Sequence, residues 1–425
     1  MKKKIIALLL ALALGLSMGL SAFAEESPAG QPAEQSANQT EQPAEEAKDT
    51  IAGPDMDGAE YSPDPLGQVR FSSVEQRIRQ NNLQILALNE QIEAIEEIDY
   101  EKQLNKLRRA LNGLADAQWT MVELGQGSGS YAYDQLSQSY SALRTQFDAI
   151  RDGELQEDNA ALVWQLKNVE DQIVLGGETM YMALLAMESQ EDGLERQLTA
   201  LDRTLTELRL RHRLGQISTL QLRETEAGRA SLVSGLETLR MNIQVYKTQL
   251  EMLLGAELSG DIQLGGVPQV TQAQLDAMDL EKDLEAAKTA SYELFDAKTT
   301  LKDTQDAYHG LGDYQPMLDA EHGWPAAKYT YNNTVQNYEM KFRTLWAQVK
   351  DYKQVLEASK ITLSSKQASY QASELKYRQG NISQNTLLTA GEEVSAAEEA
   401  VHSAENDLFT AYNNYCWAVE SGILN

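Results

Sequence analysis

Cysteine is all but absent from this sequence. Cys416 is the only one in 425 residues, so no disulfide can form within the chain and stability must come from burial. A lone thiol of this kind most often serves as a small buried hydrophobe. Proline is scarce over most of the length. Six of the nine prolines fall between Glu25 and Leu66, none stands between Pro65 and Pro268, and none follows Pro325. Proline inside a helix costs about 3 kcal/mol, so these empty stretches leave room for very long helices. Positive charge is short as well. The 36 basic side chains face 64 acidic ones, a net charge of −28, which disfavours nucleic acid and anionic surfaces as partners. Catalytic patterns are missing too: there is no phosphate-binding glycine loop, serine elbow, Cys-His pair or dinucleotide turn. Neither an enzyme nor a cofactor is expected.

What is present begins with a leader. Lys2, Lys3 and Lys4 precede an apolar run from Ile5 to Leu20, and Ala22-Phe23-Ala24 follows, the small-x-small site of a signal peptidase. Cleavage after Ala24 makes residues 1–24 a signal peptide and the chain an exported protein of the cell envelope. The competing reading is an uncleaved membrane anchor, which the polar stretch behind Ala24 disfavours. No cysteine follows the apolar run to take a lipid. Residues 25–66 hold eleven acids against Lys48 alone, with Gln, Ala, Ser and Pro filling the rest. Such a segment buries too little apolar surface to fold, and it is expected to be a disordered spacer.

From Gly67 onward the pattern is helical. Tyr331, Val335, Tyr338, Phe342, Leu345, Val349, Tyr352 and Leu356 alternate four and three residues apart, and the phase continues through Ser359, Leu363, Lys366, Tyr370 and Ser373 to Tyr377. That is a heptad seam about 70 Å long at 1.5 Å per residue. Beyond Gly380 a second seam runs from Leu387 to Ala418, with alanine at every second position (Ala390, Ala397, Ala404, Ala411). Large residues on one arm can interdigitate with small ones on the other. The predicted unit is an antiparallel coiled-coil hairpin.

The same construction occurs earlier. Leu194, Leu198, Leu201, Leu205 and Leu208 lead into Gly215, and Leu232, Leu236, Leu239, Ile243, Tyr246, Leu250 and Leu253 return from it. Each long arm has a companion: one helix is expected from Ser73 to Leu124, with a phase slip inside it, and another from Leu275 to Tyr308. Asp134 is expected to cap a further helix carrying Leu136, Tyr140, Leu143, Phe147 and Ile150. Between the copies, Gly255 to Thr271 reads as a linker in which Val267 to Val270 can form a short strand.

The two turns share one pattern. Leu210-Arg211-His212-Arg213-Leu214-Gly215-Gln216-Ile217-Ser218 and Leu375-Lys376-Tyr377-Arg378-Gln379-Gly380-Asn381-Ile382-Ser383 match as Leu, base, x, Arg, x, Gly, polar, Ile, Ser. Glycine supplies the left-handed residue after a helix, the bases face the negative end of the helix dipole, and Ser218 and Ser383 are placed to cap the returning arms. Each returning arm closes on another glycine, Gly255 or Gly422. Matched turns with matched arms mark a duplication: helical repeat 1 over residues 67–266 and helical repeat 2 over 267–425. The fold class is all-α, two tandem long antiparallel helical hairpins with little or no β.

A duplicated pair of long helices, an arm ending in Arg-x-Gly-x-Ile-Ser and a return arm ending near Leu-Leu-Gly resemble the outer-membrane efflux proteins of the TolC type. The resemblance implies a trimer whose helices close an α-barrel. It also implies glycine turns that meet an adaptor protein, and through it an inner-membrane transporter. The tip residues it points to are Arg213, Gly215, Gln216, Ile217 and Ser218 with Arg378, Gly380, Asn381, Ile382 and Ser383. The family also carries a β-hairpin between the long helices of each repeat, to cross the outer membrane. A membrane-spanning strand needs about nine to eleven residues. Here Leu124 to Tyr133 is glycine-rich, and His309 to Pro325 lacks alternation, so the barrel strands are expected to be missing. A second function class therefore stands beside the first: an exported coiled-coil structural or adhesive protein without transport.

Blander readings accompany the other marked residues. The bases Arg209, Arg211, Arg213, Lys376 and Arg378 satisfy helix dipoles as readily as they dock an acidic partner. The tyrosines from Tyr331 to Tyr377 sit at packing positions. His309, Asp313, Asp319, Glu321 and His322 match no metal-ligand spacing and read as a solvated loop. Acidic residues elsewhere are expected on exposed helix faces.

Overall fold

The computed structural model of the chain describes residues 67–309 and 318–424, and the side chains of 67–309 and 322–424. The leader with its Ala22 and Ala24 site and the acidic spacer lie outside the described residues. Among those described are eleven helices and two strands of two residues each. Repeat 1 runs β1 (Gln68–Val69), α1 (Phe71–Asn81), α2 (Leu83–Glu96), α3 (Tyr100–Glu123), α4 (Tyr131–Arg151), α5 (Glu154–Arg213) and α6 (Thr219–Leu253). The linker carries β2 (Gln263–Leu264), and repeat 2 runs α7 (Gln272–Ala277), α8 (Leu280–Ala290), α9 (Tyr292–His309), α10 (Leu318–Arg378) and α11 (Gln384–Glu420). At 60 and 61 residues, α5 and α10 are each about 90 Å long.

The seams pack as their spacing requires. Along α10, Tyr338, Phe342 and Val349 are buried against Leu408, Ala411, Tyr415 and Ala418 of α11 and against Leu284, Ala287 and Leu294 of the short helices. Toward the turn the same seam is only half-buried, at Leu356, Leu363 and Tyr370, because the companion helices stop and two arms cannot enclose a core by themselves. The core of repeat 1 sits at the same level. Val74, Ile78, Val174, Tyr181, Leu184, Ile243 and Leu250 form it, and Phe409, Trp417 and Ile423 of repeat 2 complete it.

Four expectations need correction. The helix over 73–124 is three helices, because Asn82 turns extended (ψ 119°) and its side chain accepts from Gln84 N and Ile85 N, while Asp99 accepts from Lys102 N. The phase slip in the sequence, between Ile95 and Leu104, is the new helix start at Asp99. The helix over 275–308 is broken likewise, by Asp279 capping α8 and by extended Ser291. The cap of α4 is Ser130, which accepts from Tyr133 N at 3.3 Å, and Asp134 lies inside the first turn. The linker strand is Gln263–Leu264 rather than 267–270, and it pairs in parallel with Gln68–Val69.

These breaks are where the returning arms end. Gly255 (φ 64°) lies so close to Asn81 that a Cβ would overlap its carbonyl, and Gly422 (φ 68°) does the same over the backbone of Ser291. A buried tyrosine marks each crossing. The Tyr181 hydroxyl is 2.6 Å from Gly265 O and 3.0 Å from Val69 O. The Tyr338 hydroxyl is 3.0 Å from both Ala287 O and Gly422 O, and burial pushes its pKa up to about 12.

Candidate functional site

Both glycine turns are built the same way. Gly215 (φ 73°) and Gly380 (φ 75°) take the left-handed conformation. Gly215 N donates to His212 O and Gln216 N to Arg211 O, each at 2.9 Å, and Gly380 N and Asn381 N repeat the pattern on Tyr377 O and Lys376 O at 2.8 and 2.9 Å. This is the paired closure of a Schellman turn. Ser218 then accepts from Gln221 N at 3.1 Å, and Ser383 from Thr386 N at 3.2 Å, as their spacing predicted. Ile217 and Ile382 are half-buried, whereas Arg213, Gln216, Arg378 and Asn381 are exposed.

The two turns stand side by side. Near the end of α5, Glu207 accepts from the Asn385 amide at 3.2 Å, and Asn385 lies two residues past Ser383. Farther along, Arg203 pairs with Glu392 and Arg196 with Glu399, and Ser189 donates to Glu399 at 3.2 Å. This ladder runs from α5 of repeat 1 to α11 of repeat 2. Its members recur every seven residues, but at the polar flank positions that a reading of the apolar seam assigns to solvent. Cover of the basic collars is uneven: Arg211 pairs with Glu207, Arg378 with Glu374, and Arg209 with Glu226 across the turn.

The turns differ in what surrounds them. Leu210, Leu214 and Leu220 are exposed about the first, and Leu375, Tyr377 and Leu388 about the second. Beside the second, Ser369, Ser373, Asn385, Thr386 and Thr389 line a groove of about 420 Å³ between α10 and α11.

Acidic residues are not confined to the surface. Glu178 on α5 is 5% exposed and Glu251 on α6 is 1% exposed. Glu251 accepts from Ser259 Oγ at 3.0 Å and from Gly260 N at 2.6 Å, which fixes the linker. Glu178 accepts from Asn413 Nδ2 and Trp417 Nε1, both at 2.7 Å, and so joins the repeats at core level. Burial raises its pKa, against the opposing effect of the two hydrogen bonds. Cys416 beside it is half-buried, and burial pushes its thiol up.

Where the family resemblance places a β-hairpin, repeat 1 has the helical hairpin α3–α4, which pack against one another. In repeat 2, residues 310–317 lie outside the described residues, and α10 already begins at Leu318 with Pro325 inside it; the loop expected to reach Pro325 is shorter. Of the marked loop residues, His309 meets Tyr308 and Trp324 edge to face. Among the described residues no metal-binding group of three or more ligating side chains comes together, and no helix is long and apolar enough to cross a membrane.

No family model matches the sequence, and no curated protein is significantly similar to it. Solved structures do resemble it in fold. The outer-membrane channel OprN is 13% identical with a TM-score of 0.48, the match covering 83% of this chain and 90% of that one. The Campylobacter jejuni CmeC outer membrane channel is 12% identical with a TM-score of 0.44, covering 83% and 86%. The Neisseria gonorrhoeae MtrE outer membrane channel is 13% identical with a TM-score of 0.45, covering 83% and 89%.

Proposed function

We propose that this protein is a TolC-like export component, a non-catalytic wall subunit of an oligomeric helical conduit in the cell envelope. In this reading the glycine turns dock an adaptor that connects to an inner-membrane pump. The observation that carries it is the pair of matched turns held at one end by the α5–α11 ladder. A protomer that only needed to be a rod has no use for two adjacent, identically built ends.

Two flanks support assembly. The order across the shaft is α6, α5, α11, α10, set by the packing of α6 on α5, α5 on α11 and α11 on α10. The outer arms are therefore α6 and α10, and each leaves apolar side chains exposed: Met241, Val245 and Met252 on one, Met340, Val355 and Ile361 on the other. Unlike flanks join head to tail, and a head-to-tail contact closes into a ring when the rotation permits. Three protomers of four helices are the ring expected by resemblance. Sedimentation of residues 25–425 at tens of micromolar tests this, and a closed oligomer is the expected result. A monodisperse monomer would remove the conduit and leave an exported coiled-coil structural protein.

A further inference from the structure

The α3–α4 hairpin ends in an apolar apex, with Glu123 its one charged residue from Trp119 to Tyr133, that neither the shaft nor the ladder uses. Trp119 is 68% exposed, Val122 44%, Leu124 70% and Tyr131 81%. They flank the joint between the two helices, where Gly125 and Gly129 take positive φ (74° and 98°). Scattered exposed hydrophobics need no explanation, but four large ones at one turn do. The apex is also depleted of charge. From Leu124 to Tyr133 there is no charged residue, and from Ala110 to Leu143 the charges are Asp116, Glu123 and Asp134 with no base.

This charge pattern selects the occupant. A second copy meeting the apex tip to tip would bring the three acids of each chain together without a counter-ion. An anionic bilayer would repel them. A neutral lipid interface takes up tryptophan and tyrosine, whose rings are apolar and whose polar atoms stay hydrated, and it leaves the acids in water. We infer that the α3–α4 apex is a membrane-interface anchor, in which Trp119, Val122, Leu124 and Tyr131 enter the headgroup region of a neutral bilayer without spanning it. The turn from Leu124 to Ser130 lies outside both helices, and in the hydrated headgroup region its unpaired backbone groups keep water as partner, so no closed strand set is required. This holds whether or not the glycine turns dock an adaptor, since the two features lie on different elements.

The test is flotation of the mature chain, processed from its own leader, with phosphatidylcholine vesicles, beside the variant W119S/L124S/Y131S. All three side chains are exposed, so helicity by circular dichroism should be unchanged. The wild type should float and the variant should lose at least tenfold in partitioning. Replacing a third of the lipid by phosphatidylglycerol at low salt should weaken wild-type binding. Failure of the wild type to float overturns the proposal, as does equal flotation of the variant or a preference for the anionic vesicles. Loss of self-association in the variant without lipid would assign the apex to a second copy and also overturn it.

Discussion

Three glycines with nearly the same backbone conformation should differ in what alanine does to them. Gly380 (φ 75°) and Gly215 (φ 73°) have no atom within 4 Å of a hypothetical Cβ, so alanine there meets only the left-handed penalty, about 1–2 kcal/mol. At Gly422 the new Cβ would overlap the backbone nitrogen and Cα of Ser291, neither of which can swing aside as a side chain does. Moving packed backbone adds about 1–3 kcal/mol, for about 2–5 kcal/mol in all. An unfolding entropy of ~2 cal/mol/K per residue over the folded chain turns each kcal/mol into about 1–2 °C. Gly380→Ala should therefore lower Tm by about 1–4 °C, and Gly422→Ala by about 2–10 °C. The pair is measured by calorimetry in the same buffer. Equal shifts would mean that α11 does not end against the α8–α9 break, and the account of the crossing would fall with it.

Three further outcomes are expected. Gly215→Pro together with Gly380→Pro demands φ near −65° at left-handed positions and removes the N–H bonds to His212 and Tyr377; helicity should barely fall, whereas co-purification with an adaptor or pump should be lost. Glu178→Gln should raise Tm at pH 7, because a carboxyl whose pKa is raised by burial contributes stability that is lost as pH rises through that raised value; the gap should close as pH falls below the ordinary value of 4.5, where both side chains are neutral. Far-ultraviolet circular dichroism without detergent should show an overwhelmingly helical protein. A clear β contribution there would restore strands between the long arms.

Periodicity made the arms legible, because heptad positions face a partner helix whichever helix that is. The turns were legible because glycine, base and serine each meet a separate backbone demand. What lay beyond the sequence was everything decided by a residue's neighbour. Asn82 and Ser291 break helices at points that only the arrival of Gly255 and Gly422 explains. Glu178 reads as a surface acid on α5 until Asn413 and Trp417, more than two hundred residues away, are set against it. The ladder of Arg196, Arg203, Glu392 and Glu399 repeats every seven residues on each helix, but at flank positions whose partner helix the period does not name.

The repeats also separate what packing forces from what it leaves free. Repeat 1 fills its hairpin with leucine on both arms, while repeat 2 sets tyrosine and phenylalanine on α10 against alanine on α11. The same shaft thus admits two divisions of volume, and the arms have used that freedom. The turns have not. Within their shared pattern, Gly215 and Gly380 are required by positive φ, Ser218 and Ser383 by the caps, and Ile217 and Ile382 are half-buried. Gln216 and Asn381 close the turn through their backbone N–H, and the Asn381 side chain also donates to Gln379 Oε1 at 3.1 Å. The dipole of each arm is already met by Arg211 and Lys376. Arg213 and Arg378 are what remains: exposed and repeated in the last turn of each arm, with Arg378 also paired to Glu374 one turn back. They are the residues on which the docking proposal rests most directly.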